Sequence, residues 1–243
     1  MISEFKYKEI AQEYGYVASW AVWRKAGEKP KSNISDMSIL DTKTNAELLN
    51  LLKVNVVMVG LNFSRNVKFE KSFMNFHDAN PHGNDFKIRY AFEKTPFYGA
   101  YMTDIIKNLP MGSSKDVLDY LKRNPEEIKK QIDGFRKELE FIGTKAPIIF
   151  AFGKDAYKIL RDNLKENEYS SLIQLTHYSH QVSKENYKID SFYFIDDLFT
   201  LDEDMVSGFC ELMIKNKMNL VWGCSSKVNT VNYKSLKLMK AAG

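Results

Sequence analysis

The chain has 243 residues, of which 44% are hydrophobic and 27% charged, with a formal net charge of +4. That length holds one large domain or two small ones, and the apolar fraction can fill a sizeable core. Two cysteines, Cys210 and Cys224, are too few for a disulfide scaffold or a four-cysteine cluster, and no apolar run approaches the roughly 20 residues that a membrane helix needs. The positive balance is compatible with a polyanionic partner without demanding one, and the basic residues are spread along the whole chain. No stretch has the Pro/Gly/Ser composition of a linker, so a single domain is expected. The opening Met1-Ile-Ser-Glu-Phe-Lys lacks the basic-then-apolar order of a secretory signal. A soluble, cytoplasmic, monomeric protein with reduced cysteines is the expectation.

From about Glu4 to Lys25 the chain reads as an amphipathic helix. Ile10, Tyr14, Val17 and Ala21 recur at helical spacing, with Tyr16, Trp20 and Trp23 beside them. Ala26 to Ser38, polar and holding Gly27 and Pro30, reads as a loop. Thr44 to Lys53 is a second helix candidate, buried through Leu48, Leu49, Leu51 and Leu52, so residues from about 1 to 53 form a helical N-terminal extension. Val54 to Val59 is a short β-branched run ended by Gly60, continuous enough for a strand covered on both faces. Tyr98 to Ile106, Pro147 to Phe152 and Ser171 to Thr176 resemble it. Helical patterns lie between them at Ser114 to Asn124, Pro125 to Ile142 and Lys154 to Asn167. Pro125 followed by Glu126 and Glu127 is a good helix start, with acids at the positive end of the dipole. Strands alternating with helices argue for an α/β fold with a parallel sheet. Ser191 to Ile195 adds a further strand candidate, and a C-terminal helix of about Asp202 to Lys217 precedes a lysine- and asparagine-rich tail expected to be partly ordered.

In such folds ligands bind beyond the carboxyl ends of the strands. Four polar groups fall there: Gly60-Leu61-Asn62-Phe63-Ser64, Thr103-Asp104, Gly153-Lys154-Asp155 and His177-Tyr178-Ser179-His180.

These segments, in this order, resemble the motifs of the uracil-DNA glycosylase superfamily. Val57 to Ser64 is similar to the strand running into Gly-x-Asn-Pro or Gly-x-Asp-Pro, and Tyr101 to Lys107 to the Tyr-x-Thr-Asn-x-x-Lys strand of its thermostable branch. Phe150 to Ala156 resembles the strand ending in Leu-Gly-x-x-Ala, and Thr176 to Ser179 the His-Pro-Ser motif. The matches span residues from about 54 to 183. The resemblance implies a three-layer α/β/α sandwich around a central, mainly parallel four-stranded sheet.

Hydrolysis of an N-glycosidic bond builds positive charge on the sugar and negative charge on the leaving base, so the site needs a group to position water and a donor facing the base. The base must also leave the stack and enter a pocket that reads its edge. The resemblance implies that Asn62 orients the water and that His177 donates to the leaving base. Phe63 or Phe76 would wall the pocket, and Arg89, Tyr90 and Phe92 would help to build it. Ser64, Ser179, Gly153 and Lys154 would lie against DNA phosphates. Ser179-His180-Gln181-Val182-Ser183 would enter the minor groove, with Gln181 or Val182 filling the gap left by the flipped base.

Three departures bear on this expectation. Phe63 and Tyr178 stand where both catalytic motifs have proline. Asp104 stands where the family has the asparagine that reads uracil, and a carboxylate only accepts, so it argues against uracil and for a base offering two adjacent donors, or for no base at all. The cysteines of the iron–sulfur branch have no counterpart, and no cofactor is implied. His77 and His82 flank Asp78, but their spacing matches no zinc pattern and no metal is expected. The leading expectation is a DNA glycosylase-like hydrolase. The alternatives are a silent nucleic-acid-binding protein of the same fold, or a hydrolase or transferase for a free nucleoside-like molecule.

Overall fold

A computed structural model describes residues 2–63, 71–80, 83–107, 109, 111, 113–178, 191–194, 200, 203–215, 221–224 and 230–243. The chain divides into two compact units, Met1–Val182 and Ser183–Gly243, with no stretch of linker composition to mark the division. In chain order the first contains α1 (Glu4–Glu13), β1 (Ser19–Trp20), α2 (Leu48–Leu51), β2 (Lys53–Asn62), α3 (Asp85–Phe92) and β3 (Ala100–Ile106). It continues through α4 (Ser114–Arg123), α5 (Pro125–Ile142), β4 (Ile148–Phe152), α6 (Lys154–Asn163) and β5 (Ser171–Leu175).

The sheet has the order β1-β3-β2-β4-β5. Four strands are parallel, and β1 adds a fifth, antiparallel strand at the β3 edge. All of β3 and Val56 to Leu61 of β2 are buried, as continuous apolar runs covered on both faces must be. Val57, Val59, Leu61, Tyr101, Ile149 and Ala151 face a core filled by Tyr7, Ile10, Val117, Phe135, Leu139 and Leu160 from α1, α4, α5 and α6. The alternate residues point to the other face. There α3 and its following turn pack on the sheet, with the rings of Phe92 and Phe97 centred 5.8 and 4.7 Å from that of Phe150.

Helix α5 has the bounds expected from its sequence because both ends carry strong signals. Pro125 fits the first turn, where its missing N–H has no partner to lose. Gly143 (φ +85°) turns the chain left-handed past the end, letting the Thr144 N–H donate to the Leu139 carbonyl at 3.0 Å. Ile132, Phe135 and Ile142 are buried, each stabilising the fold by about 1.5–3 kcal/mol.

The N-terminal helix is shorter than its periodicity suggests. It stops at Glu13 with Tyr14 as its cap. The chain then passes so close to Ala11 and Ser72 that only glycine fits at position 15, where a Cβ would lie 2.3 Å from the Ala11 carbonyl and 2.6 Å from the Ser72 Cβ. From Val17 to Trp23 every residue is buried, which a surface helix cannot achieve. Ser19 and Trp20 pair with Met102 and Tyr101 instead. The helix expected over Thr44 to Lys53 is a single turn, since Lys53 already belongs to β2 and its N–H donates to the Gly99 carbonyl at 2.9 Å. The helix expected to reach Asn167 ends at Asn163.

The second unit contains β6 (Ser191–Phe194), α7 (Glu203–Lys215), β7 (Val221–Cys224) and α8 (Tyr233–Ala242). β6 and β7 form a separate two-stranded parallel sheet. The tail expected to be partly ordered supplies β7 and α8, the latter started by a reciprocal cap. Asn232 accepts from the Ser235 N–H at 2.9 Å, and Ser235 Oγ accepts from the Asn232 N–H at 3.0 Å. No helix among the described residues is long and apolar enough to cross a membrane.

Candidate functional site

β2 and β4 are neighbours, but the chain leaving β2 returns as β3 on one side and the chain leaving β4 returns as β5 on the other. The carboxyl ends of β2 and β4 are therefore the topological switch point of the sheet, the position at which open α/β folds hold a ligand crevice. The residues at these two ends are Gly60 to Phe63 and Phe152 to Lys154.

Asn62 ends β2 and is half-buried. Its Nδ2 donates to the Met111 carbonyl at 3.0 Å. A carbonyl can only accept, so this contact fixes the amide orientation and leaves Oδ1 as an acceptor without a hydrogen-bond partner among the described residues. Phe63 follows, its N–H held by the Ile106 carbonyl at 2.8 Å.

Asp104 lies beside Gly60 in the parallel register and on the same face as Asn62. A Cβ on Gly60 would sit 2.1 Å from Asp104 Oδ1, so glycine makes room for the carboxyl group. Asp104 is 4% exposed. Its Oδ2 accepts from Asn75 Nδ2 at 3.0 Å. That amide also donates to the Val17 carbonyl at 2.7 Å, and its oxygen accepts from the Phe76 N–H at 3.1 Å. Asp104 Oδ1 has no hydrogen-bond partner among the described residues. Burial pushes the carboxyl pKa up to about 6, against the Asn75 hydrogen bond and the Lys107 charge, which favour ionisation.

Phe76 joins the two halves of the crevice. It is buried at a positive φ of 62°, an uncommon conformation for a bulky residue. Its ring lies 3.8 Å from the Gly60 Cβ position, and its centroid is 6.4 Å from that of Tyr178. Tyr178 also meets Phe152 at 5.4 Å and stacks on His177 at 4.5 Å. His177 packs on Gly153, whose φ of +92° and ψ of 160° suit glycine alone. A Cβ there would come within 3.3 Å of the His177 Cβ. Burial lowers the His177 pKa, which favours a neutral imidazole with one N–H donor.

The structure thus brings Asn62, Phe76, Asp104, Gly153 and His177 to one end of the sheet, with Phe63 adjoining and Lys154 exposed at the start of α6. Arg89 lies elsewhere: it is 2% exposed, and its guanidinium donates to the carbonyls of Arg24 and Ser32 at 2.8 Å each and to that of Pro30. It fixes the 24–32 loop, whose carbonyls occupy the donors that a substrate would need. Ser64, Ser179, His180, Gln181, Val182 and His82 lie outside the described residues.

Two polar arrangements were not foreseen. Asn75, which orients Asp104, carries no sequence signal beyond its place between Phe73 and Phe76. On the other face of the sheet, Glu138 of α5 is fully buried and accepts from Tyr101 Oη and Thr103 Oγ1, both at 2.8 Å. Its Oε2 is 2.6 Å from Lys107 Nζ, which also donates to the Asp104 carbonyl at 2.5 Å. An acid in the apolar stripe of a helix was a readable signal for this network.

His77 is buried against Trp23, with centroids 5.5 Å apart, and its ring nitrogens face the carbonyls of Asn75 and Val22 at 3.0 and 3.1 Å. Among the described residues no group of three or more His, Cys, Asp or Glu is placed to hold a metal ion. Compared with protein-family models, with curated proteins and with solved structures, the chain matches none.

Proposed function

We propose that this chain hydrolyses the N-glycosidic bond of a damaged or modified base in DNA, in the manner of the uracil-DNA glycosylases its strand-end motifs resemble. The observation that carries the reading is the Asn62 side chain, whose amide is held by the Met111 carbonyl so that its oxygen remains as the acceptor at the divergence of β2 and β4. An acceptor held in this way orients a water for attack on the sugar carbon. As the bond breaks, His177 donates from its neutral imidazole to the departing base. Phe76 forms the aromatic wall, the role the sequence left open between Phe63 and Phe76.

Asp104 bears on which base is taken. Asn75 holds Oδ2 and leaves Oδ1 without a hydrogen-bond partner among the described residues, so an N–H donor on the base would face Oδ1. Above pH about 6 the ionised carboxylate repels a base carbonyl and favours an amino-bearing edge.

Incubation with single- and double-stranded oligonucleotides carrying uracil, hypoxanthine, xanthine or alkylated bases tests the reading through the appearance of abasic sites. Asn62→Ala and His177→Ala are each expected to slow base release by about 10²–10³-fold, the usual cost of losing one such group. Folded protein that releases no base from any of these substrates refutes the hydrolase reading. Salt-dependent DNA binding without release would then support a silent binding protein.

A further inference from the structure

A second cleft lies on the opposite face of the sheet from Asn62, between α5 and the turn after α1. It encloses about 570 Å³ and is lined by Tyr14, Tyr16, Lys129, Lys130, Gly134 and Lys137, with Lys107, Glu126, Gln131 and Asp133 completing it. Three features bear on what it takes.

The first is charge. Lys107 is neutralised by Glu138 at 2.6 Å and Asp133 by Arg136 at 2.9 Å. Lys129, Lys130 and Lys137 remain, against Glu126. Lys130 has only a 3.7 Å contact with Glu127, at 71% side-chain exposure, and Lys129 and Lys137 have no ion pair among the described residues. The second is an aromatic surface. Tyr14 is anchored edge-on to Phe141 at 5.3 Å, whereas Tyr16 is 56% exposed beside the lysines.

The third is Gly134. Glycine in the interior of a helix is unfavourable relative to alanine, and here packing does not require it, since an added Cβ would meet nothing within 4 Å. Glycine in such a place leaves the helix backbone open to the close approach of a ligand. Gly134 lies in the lining of this cleft.

We propose that this cleft binds a phosphorylated nucleoside unit, with its phosphate over Lys129, Lys130 and Lys137, its base on the Tyr16 ring and its body against the open backbone at Gly134. Stacking on an aromatic ring and phosphate neutralisation by lysine are the two contacts that such a unit offers. The unit can be a free nucleotide or a link of a nucleic-acid strand, which share this chemistry. The proposal does not depend on the hydrolase reading, since none of these residues belongs to the Asn62 crevice.

Calorimetric titration of the full chain with AMP, ADP, ATP, inorganic triphosphate and a short single-stranded oligothymidine tests it. Saturable binding of the mononucleotides identifies the free ligand, and saturable binding of the oligonucleotide alone identifies a strand. Gly134→Leu is expected to hold or raise the melting temperature, because it replaces a helix-breaking residue in open space, while weakening binding at least tenfold. Tyr16→Ala should weaken nucleotide binding but not triphosphate binding. Lys129→Gln with Lys137→Gln should weaken both at least tenfold and reduce the salt dependence, which keeps the test intact if Gly134→Leu folds poorly. Absence of saturable binding by every probe overturns the proposal. Unchanged affinity in Gly134→Leu or in the double lysine variant does so too, as does triphosphate binding as tight as that of ATP and indifferent to Tyr16.

Discussion

Replacing Glu138 with glutamine separates the charge in the buried α5 network from its hydrogen bonds. The glutamine oxygen can still accept from Tyr101 Oη and Thr103 Oγ1, each now at 2.8 Å. Its NH₂ group must then face the Lys107 ammonium, which lies 2.6 Å from Glu138 Oε2. Breaking a buried ion pair by removing one partner costs about 3–5 kcal/mol. Lys107 keeps 12% of its side chain exposed and so retains some hydration, which places the loss near the lower end, about 3 kcal/mol. With a urea slope of about 2 kcal/mol per molar, the unfolding midpoint should fall by about 1.5 M. Tryptophan fluorescence reports this cleanly in a Trp222→Phe background, because Trp20 and Trp23 both belong to the first unit. Adding Lys107→Met should recover most of the loss by removing the stranded charge. A Glu138→Gln midpoint within about 0.5 M of the parent, a shift of about 1 kcal/mol, would refute the assignment of the pair as a desolvated, stabilising contact.

Three further outcomes follow from the buried titratable groups and from Arg89. Asp104 has its folded-state pKa raised from 3.8 to about 6, so its contribution to stability is fully present below pH 3.8 and is lost as pH rises through about 6. Asp104→Asn should therefore be more stable than the parent at pH 8 by up to about 3 kcal/mol, with the advantage gone by pH about 4. An equal advantage at both pH values would sink this account. His77 acts in the opposite sense. Burial lowers its pKa, so its contribution is present above pH 6.5 and lost as pH falls, and the acid-side loss should be steeper in Asp104→Asn than in the parent. Arg89→Met should cost about 2–3 kcal/mol by leaving the carbonyls of Arg24, Pro30 and Ser32 without their donor, and should expose the 24–32 loop to proteolysis. A change in KM for base release at unchanged stability would instead place Arg89 at the substrate.

The parts of the fold legible in the sequence were those whose ends carry their own chemistry. Helix α5 has proline at its start and a left-handed glycine past its end, so its bounds could be read to the residue. The parallel strands β2, β3 and β4 were visible as apolar runs because burial on both faces leaves no alternation to interpret, whereas β5, at the sheet edge, is only partly buried. The same property misled at the N-terminus. Val17 to Trp23 is apolar almost throughout, and such a run satisfies a helical period and an extended one equally. Only Gly15 signalled the break, through contacts with Ala11 and Ser72 that no local pattern reveals. The strand candidate at Ser191 was located, but its partner Val221 to Cys224 was hidden in a segment whose lysines and asparagines masked a strand and a capped helix. At the candidate site, the strand-end residues Asn62, Asp104, Gly153 and His177 were legible because α/β topology dictates where strand ends go. Asn75 was not, since its role depends on contacts with Val17 and Asp104 that lie far from it in sequence.

The antiparallel docking of Ser19 and Trp20 on Met102 and Tyr101 has a consequence for how the protein is made. The apolar segment from Val17 to Trp23 leaves the ribosome about 80 residues before the strand that shelters it. At a synthesis rate of about 5–20 residues per second, that interval lasts on the order of 4–16 seconds. Throughout it, two tryptophans and four aliphatic or alanine neighbours stand without their native cover. An apolar segment exposed for that long is open to non-native association until β3 emerges. Slowing translation between β1 and β3 should lower the yield of folded protein, whereas slowing it after β3 should not.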